Sequence, residues 1–135
     1  MTFLLDADVC IAALRGRPAS VRRRIDDLVA QGRAPTVSAI TRFELWAGVF
    51  HGRGRPEQSA DLADLGRVLP VLPFDEDDAR TAGELRAFLA RGGTPIGPYD
   101  LLIGAQALRR DLTLATGNMR EFSRIAGLKL EDWLA

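Results

Sequence analysis

Short apolar runs of strand length alternate with longer stretches of helical periodicity along the whole chain, and this alternation limits the open folds most. Thr2 to Leu5 reads as a short buried strand. Asp8 to Leu14 reads as one or two helical turns, stopped by Gly16 and Pro18. Ser20 is placed to cap a helix running to about Gln31, with Val21, Ile25, Leu28 and Val29 as its apolar stripe and Gly32 as its stop. Pro35 to Ser38 reads as a strand, and Ala39 to about Phe50 as a helix apolar around much of its circumference and hence well buried. Gly52 to Pro56 reads as a loop, followed by a helix near 58–68. Val71 to Phe74 is strand-like, Asp75 starts a helix to about Ala90, and 92–97 is a loop. Pro98 suits a first helical position, and that helix reaches about Arg110. Leu112 to Ala115 is a strand, Asn118 to Phe122 a short helix and Leu128 to Leu130 a last strand. Strands alternating with helices predict an α/β fold with a parallel sheet covered on both faces, here as one domain over residues 1–135.

In such sheets ligands gather beyond the carboxyl ends of the strands. Asp6 and Thr116-Gly117-Asn118 both fall there. Asp6 closes the apolar run Phe3-Leu4-Leu5, Glu44 interrupts Ile40, Phe43, Leu45, Trp46 and Ala47, and Asp100 opens Leu101-Leu102-Ile103. A carboxylate at the edge of a core is costly unless it is paired or binds a cation. Each also has a plainer reading. Asp6 or Asp8 caps the next helix, Glu44 reaches solvent at a stripe edge, Asp100 answers a helix dipole, and Asn118 caps the short helix that begins there.

Taken together the acids say more than singly. Carboxylates crowded into one pocket raise one another's pKa unless a divalent cation offsets their repulsion. An all-oxygen donor set selects Mg²⁺ or Mn²⁺. Such a cation activates water against a phosphodiester.

Composition removes other chemistries. One cysteine, Cys10, excludes an internal disulfide and a thiolate zinc site, and its apolar setting predicts packing in a reducing cytoplasm. The single histidine, His51, lies beside Gly52-Arg53-Gly54-Arg55 in an expected loop, which argues against a Ser-His-Asp triad. The first residues lack the basic start and long apolar run of a signal peptide, and no apolar segment approaches the ~20 residues of a membrane span. The 18 basic and 18 acidic residues cancel, so no global field recruits nucleic acid or membrane. Arginine supplies every basic residue but Lys129. Arg53 and Arg55 are candidates for RNA backbone contact, whereas Arg22-Arg23-Arg24 reads as a solvated helix face. The cluster Asp75-Glu76-Asp77-Asp78 reads as capping and solvation, and Trp46 as a core or dimer contact.

The ordered segments Phe3-Leu4-Leu5-Asp6-Ala7-Asp8-Val9, Ser38 to Leu45 with Gly48, Ile96 to Ala105, Leu114 to Asn118 with Arg120-Glu121-Phe122, and Ala126 to Trp133 resemble a PIN-domain ribonuclease. The likeness is to the VapC-like toxins of bacterial toxin–antitoxin pairs in particular. It implies an α/β/α sandwich with a central parallel sheet and metal-dependent endonucleolytic cleavage of RNA. It also implies a homodimer, and an antitoxin whose C-terminal segment lies over the acidic groove. Carried over by position, Asp6, Glu44 and Asp100 would hold Mg²⁺ or Mn²⁺, and Asn118 falls where many PIN domains have a further acid. The chain departs from the toxin pattern at Ala7, where a hydroxyl residue is common, at Asp8, where asparagine is usual, and at Gly117, where asparagine is frequent. Asp8 is thereby an added candidate ligand. Two rival readings remain. In a haloacid-dehalogenase-like phosphohydrolase, Asp6 would be nucleophile and Asp8 acid/base, though the site lysine of that chemistry is missing unless Lys129 serves. An inactive PIN module would only grip RNA or protein.

Overall fold

The computed structural model describes residues 3–52 and 57–135. Thr2 and the proposed RNA contacts Arg53 and Arg55 lie outside them. Five strands, β1 (Phe3–Leu5), β2 (Thr36–Ser38), β3 (Val71–Leu72), β4 (Thr113–Thr116) and β5 (Leu130–Asp132), form one sheet in the order β3-β2-β1-β4-β5. Every neighbouring pair is parallel. Helices α1 (Ala7–Arg15), α2 (Ala19–Ala30), α3 (Ala39–His51), α4 (Glu57–Val68), α5 (Glu76–Arg91), α6 (Pro98–Arg109) and α7 (Met119–Phe122) connect them.

The side-chain alternation of a strand divides the core in two. Leu5 and Ala115 face one way and pack with Val9, Ile25, Leu62 and Leu65 from α1, α2 and α4. Leu4 and Leu114 face the other way and pack with Leu89, Leu101, Ile103 and Phe122 from α5, α6 and α7. The result is the expected α/β/α sandwich, with β1 central and buried on both sides. Gly104 lets α6 sit close on α7 and the turn after it, since a Cβ there would stand 2.5 Å from Ile125 Cδ1 and 3.5 Å from Phe122 Cδ1. No described helix is long and apolar enough to cross a membrane. Cys10 is buried and free, and burial pushes its thiol up to about 12.

Several local expectations need correction. Helix α2 begins after Pro18, not at Ser20, and has no side-chain cap, because proline already holds an extended φ of −68° at that position. The last strand lies two residues further on, at Leu130–Asp132, where Leu130 and Glu131 pair with Leu114 and Ala115. His51 ends α3 rather than lying in a loop. Helix α3 is not deeply buried: Phe43 and Phe50 are 53% and 76% exposed. The Asp75 cluster does cap α5, through a reciprocal pair of bonds between Asp75 and Asp78. Asp78, however, is fully buried rather than solvated, and takes charge-assisted bonds from Arg109 at 2.7 Å and Arg110 at 2.9 Å. Although burial opposes its charge, those bonds and the Asp75 N–H hold its carboxyl well below the usual range. Arg22, Arg23 and Arg24 are exposed as expected, with Arg24 lying over the Trp133 ring.

Candidate functional site

Parallel strands all end on the same side of the sheet, where Asp6 follows β1 and Asn118 follows β4. Asp6 leaves β1 at the N-cap of α1 and is 5% exposed. The Ala7 N–H donates to its Oδ1 at 2.8 Å, and the Thr116 hydroxyl donates to its Oδ2 at 2.8 Å. The capping reading and the site reading therefore describe one side chain, since the cap bond occupies only part of a carboxylate with about four acceptor positions. Thr116 relays the contact onward, for its oxygen accepts the Asn118 N–H at 2.9 Å. Asp8, in the first turn of α1, accepts the Gly117 N–H on Oδ2 at 2.9 Å. A Cβ at Gly117 would stand 3.0 Å from that oxygen and 2.6 Å from Leu134 Cδ1. Glycine there permits the close approach.

Glu44 comes from the second turn of α3 and Asp100 from the first turn of α6, two helices in mutual contact. Asn118 holds the N-cap position of α7 but makes no side-chain cap bond. Its amide instead donates to Glu121 Oε2 at 3.0 Å and points at Asp100 Oδ2 at 3.5 Å. Glu121 Oε1 accepts the Gly97 N–H at 2.5 Å.

The carboxylates influence one another electrostatically. Burial chiefly, then the charge of Asp8, raises Asp6 above the ordinary aspartate value. Burial, followed by the charge of Asp6, raises Glu44, and burial raises Asp8. Asp100 is pushed up to about 7, by burial first and then by the charges of Asp6, Glu121 and Glu44. Glu121 alone is lowered, by its bonds from Gly97 and Asn118. Asp8, Glu44 and Asp100 are thus coupled electrostatically through Asp6, and Asn118 joins them only by its hydrogen bonds. Among the described residues no three such side chains form a group arranged to hold an ion as they stand. Two oxygens in the cluster, Asp8 Oδ1 and Glu44 Oε1, are buried without any hydrogen-bond partner. Buried acceptors are normally satisfied. Two orphan oxygens in an all-carboxylate setting suit a hard divalent cation, so the residues present fit such an ion.

Thr116 and Glu121 were missed as site residues by sequence reasoning. A signal for Glu121 existed: Asn118-x-x-Glu121 has the spacing of an N-cap and its third helical residue. Glu44 also borders a groove of about 510 Å³ whose walls include Ile11, Leu14, Arg15, Arg17 and Val49. Lys129 is no site lysine. It pairs with Asp111 at 2.8 Å, ahead of β4 and so at the opposite edge of the sheet from Asp6. The phosphohydrolase reading loses its cation.

Residues 3–128 match the PIN domain family. The chain is 37% identical, over 98% of both chains, to the tRNA(fMet)-specific endonuclease VapC of Shigella flexneri. It is 32% identical over the same share to the ribonuclease VapC2 of Rickettsia felis. Among solved structures, VapBC2 of Rickettsia felis bound to a fragment of its promoter DNA superposes with a TM-score of 0.90 at 31% identity, covering 98% of this chain and 99% of that one. DNA-bound VapBC of Salmonella typhimurium gives 0.90 at 36% identity, covering 98% of each.

Proposed function

The chain belongs to the PIN-domain family and within it groups with the VapC ribonucleases; from that premise we propose that it is a divalent-metal-dependent endoribonuclease, the toxin of a toxin–antitoxin pair. The observation that carries the metal-dependent part is the set of desolvated carboxylates, Asp6, Glu44 and Asp100, whose charges oppose one another. Asp6, Glu44 and Asp100 would hold Mg²⁺ or Mn²⁺, with Asp8 Oδ1 adjoining. When bound, the ion supplies a water of lowered pKa and positive charge to offset the phosphodiester.

The chain's own residues supply position. Asp6 is fixed on both oxygens by Ala7 and Thr116, so it needs no reorganisation during reaction. Asn118, held by Glu121, presents a neutral polar group beside Asp100. Asp100, pushed up to about 7, would repel a phosphate less than a fully charged carboxylate until the ion arrives. RNA is the substrate class, and because the Shigella relative is named for tRNA(fMet), tRNA is the first RNA to test.

The antitoxin has a place to dock. The groove beside Glu44 combines apolar walls with Arg15 and Arg17, which suits an amphipathic peptide segment. The exposed Phe43, Phe50 and Tyr99 suit a homodimer interface. A buried reduced Cys10 suits a reducing cytoplasm.

The test is to incubate the purified chain with total RNA, with and without Mn²⁺, and to map the new ends. Discrete Mn²⁺-dependent ends that vanish in Asp6→Asn are expected. Equal cleavage by Asp6→Asn, or cleavage in excess chelator, would remove this reading.

A further inference from the structure

We propose that Leu134, on the segment after β5, is a positioning residue for Asp8. It covers Gly117 and keeps the Gly117 N–H on Asp8 Oδ2, so that Oδ1 is the oxygen left for the proposed cation. The consequence for the ion rests on the metal-dependent reading above, whereas the packing does not. Two positions at which the chain departs from the toxin pattern, Asp8 and Gly117, meet in this contact. Gly117 has no left-handed φ, so its backbone alone does not require glycine. Its surroundings do. The space a side chain would take is filled by Leu134, whose Cδ1 and Cγ lie 2.6 and 3.2 Å from where a Cβ would stand. Asp8 Oδ2 lies 3.0 Å from the same point. Leu134 and Asp8 Oδ2 thus border one small space, and the apolar side chain keeps water from competing for the N–H. The other Asp8 oxygen is buried with no hydrogen-bond partner.

Leu134 is held in place by the segment that carries it. Strand β5 ends at Asp132, paired with Thr116 at the end of β4, so the residues that follow start level with Gly117. Asp132 Oδ1 accepts the Leu134 N–H at 2.9 Å and turns the chain there. Trp133, between them, is 5% exposed and packs in the core with Leu5 and Val9. Its ring meets Phe3 edge-on with centroids 5.1 Å apart, and its indole N–H donates to Glu131 Oε1 at 3.2 Å. Arg24 lies 4.5 Å over the same ring and pairs with Glu131. Swinging Leu134 away would mean drawing Trp133 out of the core and breaking these contacts. The cover over Gly117 is therefore fixed, not a mobile lid.

The test uses Leu134→Ala, with Leu134→Val as a milder truncation and Leu134→Met as the variant that keeps volume. In metal-free ¹⁵N-labelled protein the Gly117 amide should resonate downfield and exchange slowly. Leu134→Ala should move it upfield and speed its exchange at least about tenfold. Leu134→Val should do the same in lesser degree, and Leu134→Met should keep both features. The Leu114 amide, which donates to the Lys129 carbonyl at 2.9 Å, should hold its rate throughout, which separates a local opening from general loosening. In calorimetry Leu134→Ala should weaken Mn²⁺ binding about three- to tenfold, and Leu134→Met should match wild type. Leu134→Ala combined with Asp8→Asn should bind no more weakly than Asp8→Asn alone. An unchanged Gly117 amide in Leu134→Ala, or acceleration shared equally by Leu114, would overturn the proposal whatever the metal result. Mn²⁺ affinity unmoved by Leu134→Ala, or losses that add to those of Asp8→Asn, would overturn it too, by separating Leu134 from Asp8. A wild type that binds no Mn²⁺ would sink the metal-dependent reading instead, and the Gly117 amide would still decide whether Leu134 keeps the contact.

Discussion

Asp100→Asn should make the metal-free protein more stable at neutral and alkaline pH, an unusual outcome for a proposed active-site change. Asp100 is pushed from the aspartate value of 3.8 up to about 7 by burial and then by the charges of Asp6, Glu121 and Glu44. A carboxyl whose folded pKa is raised contributes stability that is full below its unfolded pKa and is lost as pH rises through the folded one. The window here runs from about pH 4 to pH 7. Each tenfold change in proton affinity corresponds to about 1.4 kcal/mol, giving an upper bound of about 4 kcal/mol. Solvent screening and relaxation of the neighbouring acids bring the expected penalty nearer about 2 kcal/mol. For a domain this size that is roughly 6–8 °C in Tm. Asparagine removes the titrating group while keeping shape and polarity. The assay is thermal melting of wild type and Asp100→Asn in chelator from pH 4 to pH 8. The readout is the difference between the proteins, because the other acids with raised pKa, Asp6, Asp8 and Glu44, tilt both curves. The variant should match wild type near pH 4 and exceed it by several degrees at pH 8. Saturating Mn²⁺ at about 100 times its Kd should then raise wild type by about 2.7 kcal/mol and leave the variant unmoved. Equal melting at pH 8, or a variant that melts lower there, would refute the claim that these acids crowd one another.

Other expectations follow from single contacts. Asp8→Asn should weaken Mn²⁺ binding less than about tenfold, read by calorimetry, because one Asp8 oxygen is already committed to Gly117. Gly117→Ala should lower stability by about 1–3 kcal/mol, since its Cβ would meet Leu134 Cδ1 at 2.6 Å. Leu134→Ala in the same chain should recover much of that loss in a denaturant melt. Asp78→Asn should destabilise by about 2–4 kcal/mol in the same assay, because Arg109 and Arg110 both converge on that buried carboxylate.

The strands and the acids were legible in the sequence because both rest on local contrast. A parallel sheet buried on both faces shows as brief apolar runs, and Asp6 stands out at the end of Phe3-Leu4-Leu5. What the sequence hid depends on neighbours distant in the chain. Asp78 read as one more solvated cap until Arg109 and Arg110, some thirty residues away, closed over it. Phe43 and Phe50 looked buried because apolar periodicity cannot tell a core face from an exposed apolar one. Glu121 carried a capping spacing, yet its partner proved to be Gly97 on another helix. Ser20 had the right chemistry for a cap, but Pro18 already held the required backbone.

Everything in the mechanism turns on whether Asp6, Glu44 and Asp100 serve a common cation. Calorimetric titration of Mn²⁺ into the wild-type chain and into Asp6→Asn, Glu44→Gln and Asp100→Asn addresses this directly. Saturable binding in the wild type that is strongly weakened by each of the three substitutions is the predicted result. No binding in the wild type, or binding that survives all three changes, would contradict it.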